Sequence, residues 1–176
     1  MIHGWIDALI FFLPAAAGNA IPVIANKIPV WNRWKTPLDF EKTFRGKRIF
    51  GANKTWRGLF SAAIVGGIVA WALVGLSYQA PINTNISFVF FGALMGFGAI
   101  AGDAIESFFK RQAGIKPGQS WFPYDQIDYI AGGVAVVLPF IGWQPVFILR
   151  IFILYFIVHL VFSHIGYSSG LKTRTV

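Results

Sequence analysis

The acidic residues of this chain are few, and most of them lie close together. Only seven Asp and Glu residues occur in 176, and four of these are Asp103, Glu106, Asp125 and Asp128. Within each pair the spacing is three residues, which places both carboxylates on one face of a helix. No charged residue occurs between 58 and 102, so the first pair follows a long apolar run. Carboxylates at the edge of a membrane-spanning run are costly, which indicates a function.

The two acidic pairs are expected to meet. A short loop joins the end of one apolar run to the start of the next, so antiparallel packing would bring the pairs together. Carboxylates that converge repel one another unless a cation lies among them, and Mg²⁺ is the hard ion that prefers oxygen ligands. Two simpler interpretations stay open. Glu106 could pair with Lys110 one turn along the helix, and Asp125 could serve a helix N-terminus, where the dipole favours acids.

The segment GKRIFGANKTWRG (46–58) combines glycines with cations. Glycine allows close approach of the backbone to a ligand, and Lys and Arg attract phosphate oxygens. The spacing of a nucleotide-binding P-loop is absent. The alternative is a basic loop that contacts anionic lipid headgroups. A shared face with the acids favours nucleotide phosphate.

Composition identifies lipid as the solvent for most of the chain. It is 56% hydrophobic and 12% charged, which exceeds what one soluble core of this size could bury. We predict an all-α integral membrane protein that forms a single domain over residues 1–176. Its five predicted transmembrane helices cover residues 4–24, 58–78, 86–108, 128–144 and 146–166.

Local features refine these spans. Pro14, Asn19 and Pro22 lie within the first, which predicts a kinked or broken helix. Glycine pairs at 92/96 and 98/102 are typical of close helix packing rather than of chemistry. The N-terminus lacks a basic region and a small-residue cleavage site, so we expect the first span to be retained.

The distribution of cations predicts the orientation in the membrane. Residues 25–57 hold nine of the fifteen Lys and Arg residues, and residues 110–127 hold three more. Because Lys and Arg favour the cytoplasmic side, the N-terminus is predicted outside, with both long loops and the C-terminus in the cytoplasm. The same placement argues against nucleic acid as the partner of a chain with net charge +8. The absence of cysteine excludes disulfides and thiolate chemistry.

The segments ESFFKR and KPGQSWFPYDQID resemble the signature of membrane cytidylyltransferases that make CDP-activated lipids. Three features depart from that signature. Pro117 stands where the family has Asp, Gln126 replaces an Arg, and a His-Gly-Gly segment is missing. The residues that match it are Ser107, Lys110, Arg111, Lys116, Asp125 and Asp128.

These departures resemble the archaeal branch, the CDP-archaeol synthases. PAAAGNAIP (14–22), TPLDF (36–40) and the basic segment 46–58 are also similar to that family, so the resemblance touches most of the chain. It implies a small protein of five spans. The missing Asp at Pro117 leaves one metal ligand unassigned, which Asp103 or Glu106 could supply.

The resemblance implies that Mg²⁺ assists transfer of CMP from CTP to an ether-linked isoprenoid glycerol phosphate. The products would be a CDP-archaeol-type lipid and pyrophosphate, made at the cytoplasmic face of the cell membrane. Asp103, Asp125 and Asp128 are the predicted metal ligands, with Glu106 in support. The cations predicted to hold triphosphate or lipid phosphate are Lys110, Arg111 and Lys116. The residues predicted on the nucleotide side are Asn19, Asn53, Lys54, Thr55 and Arg57.

Two alternatives remain at this point. The same chemistry could act on phosphatidic acid, an ester-linked lipid, as in CDP-diacylglycerol synthases. The intramembrane acids could instead form the ion path of a small ion-coupled transporter.

Overall fold

The computed structural model describes residues 4–25, 33–80 and 86–168. A helix occurs at the place of each predicted span, and one small hairpin lies between the first two. The helices are α1 (Trp5–Ala25), α2 (Trp56–Gly75), α3 (Phe88–Gln112), α4 (Tyr124–Ile141) and α5 (Pro145–Ser168). The hairpin is formed by β1 (Thr43–Phe44) and β2 (Lys47–Arg48), which pair antiparallel. The all-helical prediction is therefore confirmed for the apolar part of the chain.

Four helices in the described part of the chain are long and apolar enough to cross a membrane: α1, α2, α3 and α5. The helix α4 is not among them. Its first two turns carry Asp125, Gln126 and Asp128, which lower its mean hydropathy. The chain is a multi-pass membrane protein, and the predicted fifth span stays a prediction.

The first helix is continuous although Pro14 and Pro22 lie inside it. The predicted break is therefore wrong. Membrane helices tolerate proline when neighbouring helices pack around the freed backbone groups. In α1, Phe11 and Phe12 are fully buried among residues of the other helices, and this packing holds the helix together.

Helices α3 and α4 extend further toward each other than their apolar runs indicate. The end of α3 lies at Gln112, four residues beyond the predicted boundary at 108, and α4 begins at Tyr124 rather than at 128. Lys110 and Arg111 lie in the last turn of α3, where cations are favoured by the helix dipole. Hydrophobicity marks where lipid ends, whereas backbone hydrogen bonding continues into the polar region.

Glycines set the close approach of α3 to its neighbours. A Cβ added to Gly102 would lie 2.2 Å from the backbone oxygen of Asp128, and one at Gly98 would lie 2.5 Å from that of Gly132. On the other side of α3, a Cβ at Gly96 would lie 2.1 Å from the backbone oxygen of Ala62. The prediction that these glycines serve helix packing is confirmed.

Candidate active site

Three carboxylates from two helices form an acidic cluster, which we define as Asp103, Glu106 and Asp128. One oxygen from each lies within 4.8 Å of the others. Asp103 and Glu106 are three residues apart on α3, and Asp128 faces them from α4. The contact of Gly102 with the Asp128 backbone makes this approach possible, because any side chain at 102 would separate the helices. The predicted meeting of acids from two neighbouring helices is thus seen for these three.

Lys54 reaches the acidic cluster from the loop before α2. Its Nζ donates to both carboxylate oxygens of Asp103, each at 2.6 Å. Both side chains are about three-quarters buried. Forty-nine residues separate the two in the chain, so only the fold brings this cation to this acid.

Asp125 lies beside the cluster but is turned toward a cation. Its carboxylate accepts a very short hydrogen bond from Lys110 Nζ, and Lys110 lies 3.3 Å from Glu106 on its other side. Asp125 also accepts from the backbone N–H of Trp121 at 2.5 Å and from the Ser120 hydroxyl at 3.2 Å. The simple Glu106–Lys110 pair is confirmed, and the same lysine links Asp125 to the cluster.

Oxygen donors are concentrated at this site. Among the described residues, the four carboxylates of Asp125 and the acidic cluster form ion pairs with the ammonium groups of Lys54 and Lys110, and the guanidinium of Arg57 lines the same cleft as Asp103. Several carboxylates at one place are the donor set that a hard divalent cation prefers. The residues present therefore fit a metal ion of the Mg²⁺ type.

A small polar cleft of about 50 Å³ opens next to Asp103. Its lining comes from the loop before α2, from the end of α1, from the start of α2 and from the middle of α3. The residues that line it are Pro22, Asn53, Lys54, Thr55, Arg57, Gly58, Ile100 and Asp103. All four residues predicted on the nucleotide side from the basic segment thus share one cleft. Asn19 is half-buried on α1 and does not line it, although Pro22, one turn further on, does.

Two of these residues also have local roles. Thr55 caps α2, since its hydroxyl accepts a hydrogen bond from the Gly58 N–H at 3.2 Å. Arg57 is buried in the first turn of α2, with 5% of its surface exposed. The cap fixes where α2 starts, and so it fixes the direction in which Arg57 enters the site.

The remaining predicted cations lie further out. Arg111 is half-buried beside the loop, with its Cδ 4.0 Å from where a Gly51 Cβ would lie. Lys116 is exposed on the turn between α3 and α4, and its backbone N–H donates to the Gln119 side chain at 3.0 Å. Pro117 shares that exposed turn. The described contacts do not bring Lys116 to the acidic cluster, whereas Glu106 supplies a third carboxylate there.

One important residue of the loop, Asp39, lies in the TPLDF segment (36–40) but was given no role from the sequence. Asp39 is buried, with 4% of its surface exposed, and it ties together the turn and the hairpin before α2. Burial alone would raise its pKa. Hydrogen bonds from Arg48 and from the N–H groups of Gly51, Phe50 and Glu41 more than offset this, so its pKa lies well below the ordinary value. Two signals were available: Asp39 lies in TPLDF (36–40), which resembles the family, and it is one of only two acids in the strongly basic segment 25–57.

Helices in lipid, an acidic cluster that suits a divalent cation and a cationic cleft at one end of the bundle together define a membrane-embedded enzyme of phosphate chemistry. The comparisons with known proteins narrow this class. The model of the CarS-like family, CDP-archaeol synthase, matches residues 1–175. The chain belongs to this family, and it is a CTP-dependent cytidylyltransferase of archaeal lipid synthesis. The resemblance and the enzyme class predicted from the sequence are confirmed, and the transporter alternative is set aside.

The sequences of individual relatives align with this chain over most of their length. A CDP-archaeol synthase of Methanococcus aeolicus is 34% identical over 183 aligned residues, covering 98% of this chain and 97% of the relative. That of Methanoculleus marisnigri is 37% identical over 78% of this chain and 87% of its own. That of Pyrococcus furiosus is 34% identical over 78% of both chains.

A solved structure shares the fold. It is described as an intramembrane enzyme for archaeal membrane lipids biosynthesis, and it superposes with a TM-score of 0.74 at 27% identity. The superposition covers 90% of this chain and 93% of the other. The helical bundle that positions the acidic cluster is therefore the fold of an enzyme that works within a membrane.

Proposed function

We propose that this chain catalyses Mg²⁺-dependent transfer of CMP from CTP to an ether-linked isoprenoid glycerol phosphate. An oxygen of the lipid phosphate forms a bond to the α-phosphorus of CTP. The bond from that phosphorus to the bridging oxygen breaks, and pyrophosphate leaves with the electron pair. The observation that carries the proposal is the acidic cluster lying directly beside Lys54 and the cationic cleft. The product named for the relatives, CDP-archaeol, supports the choice of lipid.

Asp103, Glu106 and Asp128 would hold the metal ion in this proposal. A bound ion supplies positive charge between two anionic reactants and to the leaving pyrophosphate. Asp125 would contribute through Lys110, whose ammonium it contacts and orients next to Glu106. This role differs from the predicted one, in which Asp125 binds the metal ion directly. Comparing the Asp125→Asn and Asp128→Asn variants distinguishes an indirect role of Asp125 from metal binding.

The cations and the amide of the cleft would bind and orient phosphate. Lys54, Arg57 and Asn53 line a space next to the acidic cluster, so a triphosphate bound there would lie beside the carboxylates that would hold the metal ion. Arg is suited to phosphate because its planar donors bind two oxygens at once. A phosphate monoester is largely ionised at neutral pH, since its second pKa is about 6, so its attack needs no poised base. Positioning and charge are the main contributions.

We further propose that α4 also crosses the membrane and that the site faces the cytoplasm. Lys54 and Lys47 of the first loop contact Asp103 and the backbone oxygen of Gln112, near the C-terminal end of α3. Both basic loops therefore lie at one end of the bundle, which supports a cytoplasmic location under the positive-inside rule.

The natural absence of cysteine allows a direct test of this orientation. Lys42→Cys in the first loop and Gln79→Cys beyond α2 are single reporters at exposed positions. In intact cells a membrane-impermeant maleimide should label position 79 and spare position 42 until the membrane is permeabilised. Labelling with the opposite preference would contradict the proposed orientation.

The function itself is tested with purified protein in detergent. Mg²⁺, each radiolabelled nucleoside triphosphate and a geranylgeranyl-ether glycerol phosphate are supplied, and labelled lipid and pyrophosphate are measured. CTP with the ether lipid should give equal amounts of CDP-lipid and pyrophosphate. Phosphatidic acid in a parallel reaction tests the acceptor, and EDTA tests the metal. Faster turnover of phosphatidic acid would overturn the assignment of the lipid.

A further inference from the structure

Asp39 has an unusual environment for a carboxylate in a loop. Its side chain is fully buried and accepts five hydrogen bonds. Arg48 donates two, from Nη2 at 2.7 Å and Nε at 3.2 Å. The backbone N–H groups of Glu41, Phe50 and Gly51 donate the others, at 3.0, 3.0 and 2.9 Å. One side chain thus connects the turn that follows it, the strand β2 and the segment after the hairpin.

The backbone around Asp39 depends on these bonds. Phe40 and Glu41 have φ values of 45° and 67°, a left-handed conformation that residues other than glycine rarely adopt. Such a conformation persists only where surrounding contacts hold it. The bond from the Glu41 N–H to the Asp39 carboxylate closes this turn.

The same segment holds the backbone of Lys54 on two sides. The N–H of Leu38, the residue before Asp39, donates to the Lys54 carbonyl at 2.8 Å. The N–H of Lys54 donates to the carbonyl of Gly51, whose own N–H donates to Asp39. A bridge between Pro37 and Thr55 extends the pairing. The main chain at Lys54 is therefore anchored through Asp39.

We infer that Asp39 is a positioning residue that sets Lys54 against Asp103 and the polar cleft. The inference rests on the proposed function, in which Lys54 contacts the reacting phosphates. An error of about 1 Å in the position of such a group can lower a rate by about a hundredfold. In the described part of the chain, the hydrogen bonds of the Asp39 side chain are to residues of the loop and hairpin, so its influence on the acidic cluster passes through the loop.

A double-mutant cycle tests this connection. Asp39→Asn replaces a carboxylate oxygen with an amide N–H₂, which faces hydrogen-bond donors and cannot accept from them. Because buried donors then lose their acceptor, the variant should lower kcat/KM for CTP by about tenfold or more. Lys54→Ala should lower it by a comparable or larger factor. If Asp39 acts through Lys54, the double variant should lie within about threefold of Lys54→Ala alone, since coupled residues are not additive.

Two further variants keep the result interpretable. Glu41→Gln removes a negative charge from the same turn at an exposed position, and it should leave kcat/KM within about twofold of the wild type. Arg48→Gln removes two of the five bonds to Asp39, and it replaces Asp39→Asn in the cycle if that variant does not fold in detergent.

The outcomes separate the two proposals. Losses that multiply in the double variant, or a wild-type kcat/KM for Asp39→Asn or its replacement, would overturn the positioning role. A wild-type kcat/KM for Lys54→Ala alone would instead overturn the role of Lys54 in the proposed function, and the inference with it.

Discussion

Carboxylates are buried or partly buried at two places in this molecule, and their surroundings differ. Asp39 is one carboxylate with five hydrogen-bond donors around it, one pair of them from a guanidinium. The acidic cluster holds three carboxylates within 4.8 Å, and its direct cations are Lys54 and Lys110. The first site surrounds one carboxylate with donors, whereas the second brings three carboxylates together.

The difference indicates what each site does. A buried carboxylate that is fully hydrogen-bonded fixes local structure, because moving any partner leaves an unmatched group. Carboxylates that lie this close repel one another, so a cluster of them gains from a bound cation. The same residue type therefore organises a loop at one site and binds a ligand at the other.

The largest loss of activity is expected from a substitution in the acidic cluster. Asp128→Asn should lower CDP-lipid formation by about a hundredfold or more, since even residues that only support metal ligands change activity by about 10–100-fold. The thermal unfolding midpoint in detergent should stay the same or rise, because one of several repelling charges is removed. Asp125→Asn should cost less if its role passes through Lys110. Activity of Asp128→Asn within threefold of the wild type would contradict the metal assignment.

The next effect concerns the helix packing that forms the cluster. Gly102→Val would place a Cβ 2.2 Å from the Asp128 backbone oxygen, so α3 and α4 must separate. We expect a loss of about 1–3 kcal/mol in the free energy of unfolding, typical of an overpacked core, together with a loss of activity. Gly75→Ala is the control, because nothing lies within 4 Å of an added Cβ there. Equal thermal stability of the two variants would show that the close approach is not required.

A third prediction concerns the charge of the cluster. Lys54→Met removes an ammonium that contacts both oxygens of Asp103, so a divalent cation should bind about tenfold more tightly in the absence of nucleotide. Mn²⁺ binding followed by electron paramagnetic resonance measures this without turnover. Lys42→Met, which removes the same charge from an exposed position of the loop, should leave the affinity unchanged. Weaker binding by Lys54→Met would mean that the lysine does not compete with the metal.

The smallest effect is the acid dependence of stability at Asp39. Its pKa in the folded protein is lower than the value of about 3.9 expected in the unfolded chain. The charged form therefore stabilises the fold fully above about pH 4, and this contribution is lost as the pH falls further. The unfolding midpoint of the wild type should decline between pH 4 and pH 2 more steeply than that of Asp39→Asn. Parallel declines would count against Asp39 as a source of stability.

Much of the site was visible in the sequence because its signals are local. The spacing of Asp103 and Glu106 already indicated a shared helix face, and the apolar run before them indicated its location. The basic segment with Lys54 and Arg57 was recognised by composition. Asp39 was missed because its importance depends on donors up to twelve residues away, folded around it by a turn and a hairpin. Asn19 was assigned to the cleft from its motif, but the turn of α1 presents Pro22 there instead.

The sequence by itself determined that lipid is the solvent of this chain, where its helices lie and which residues carry charge at their ends. These follow from hydrophobicity and spacing over short stretches of chain. Only the tertiary structure decided that Asp128 joins Asp103 and Glu106 while Asp125 contacts Lys110. It also decided that Lys54, 49 residues away in the chain, contacts Asp103. Such contacts depend on how closely two helices approach at Gly102, a distance that no local pattern specifies.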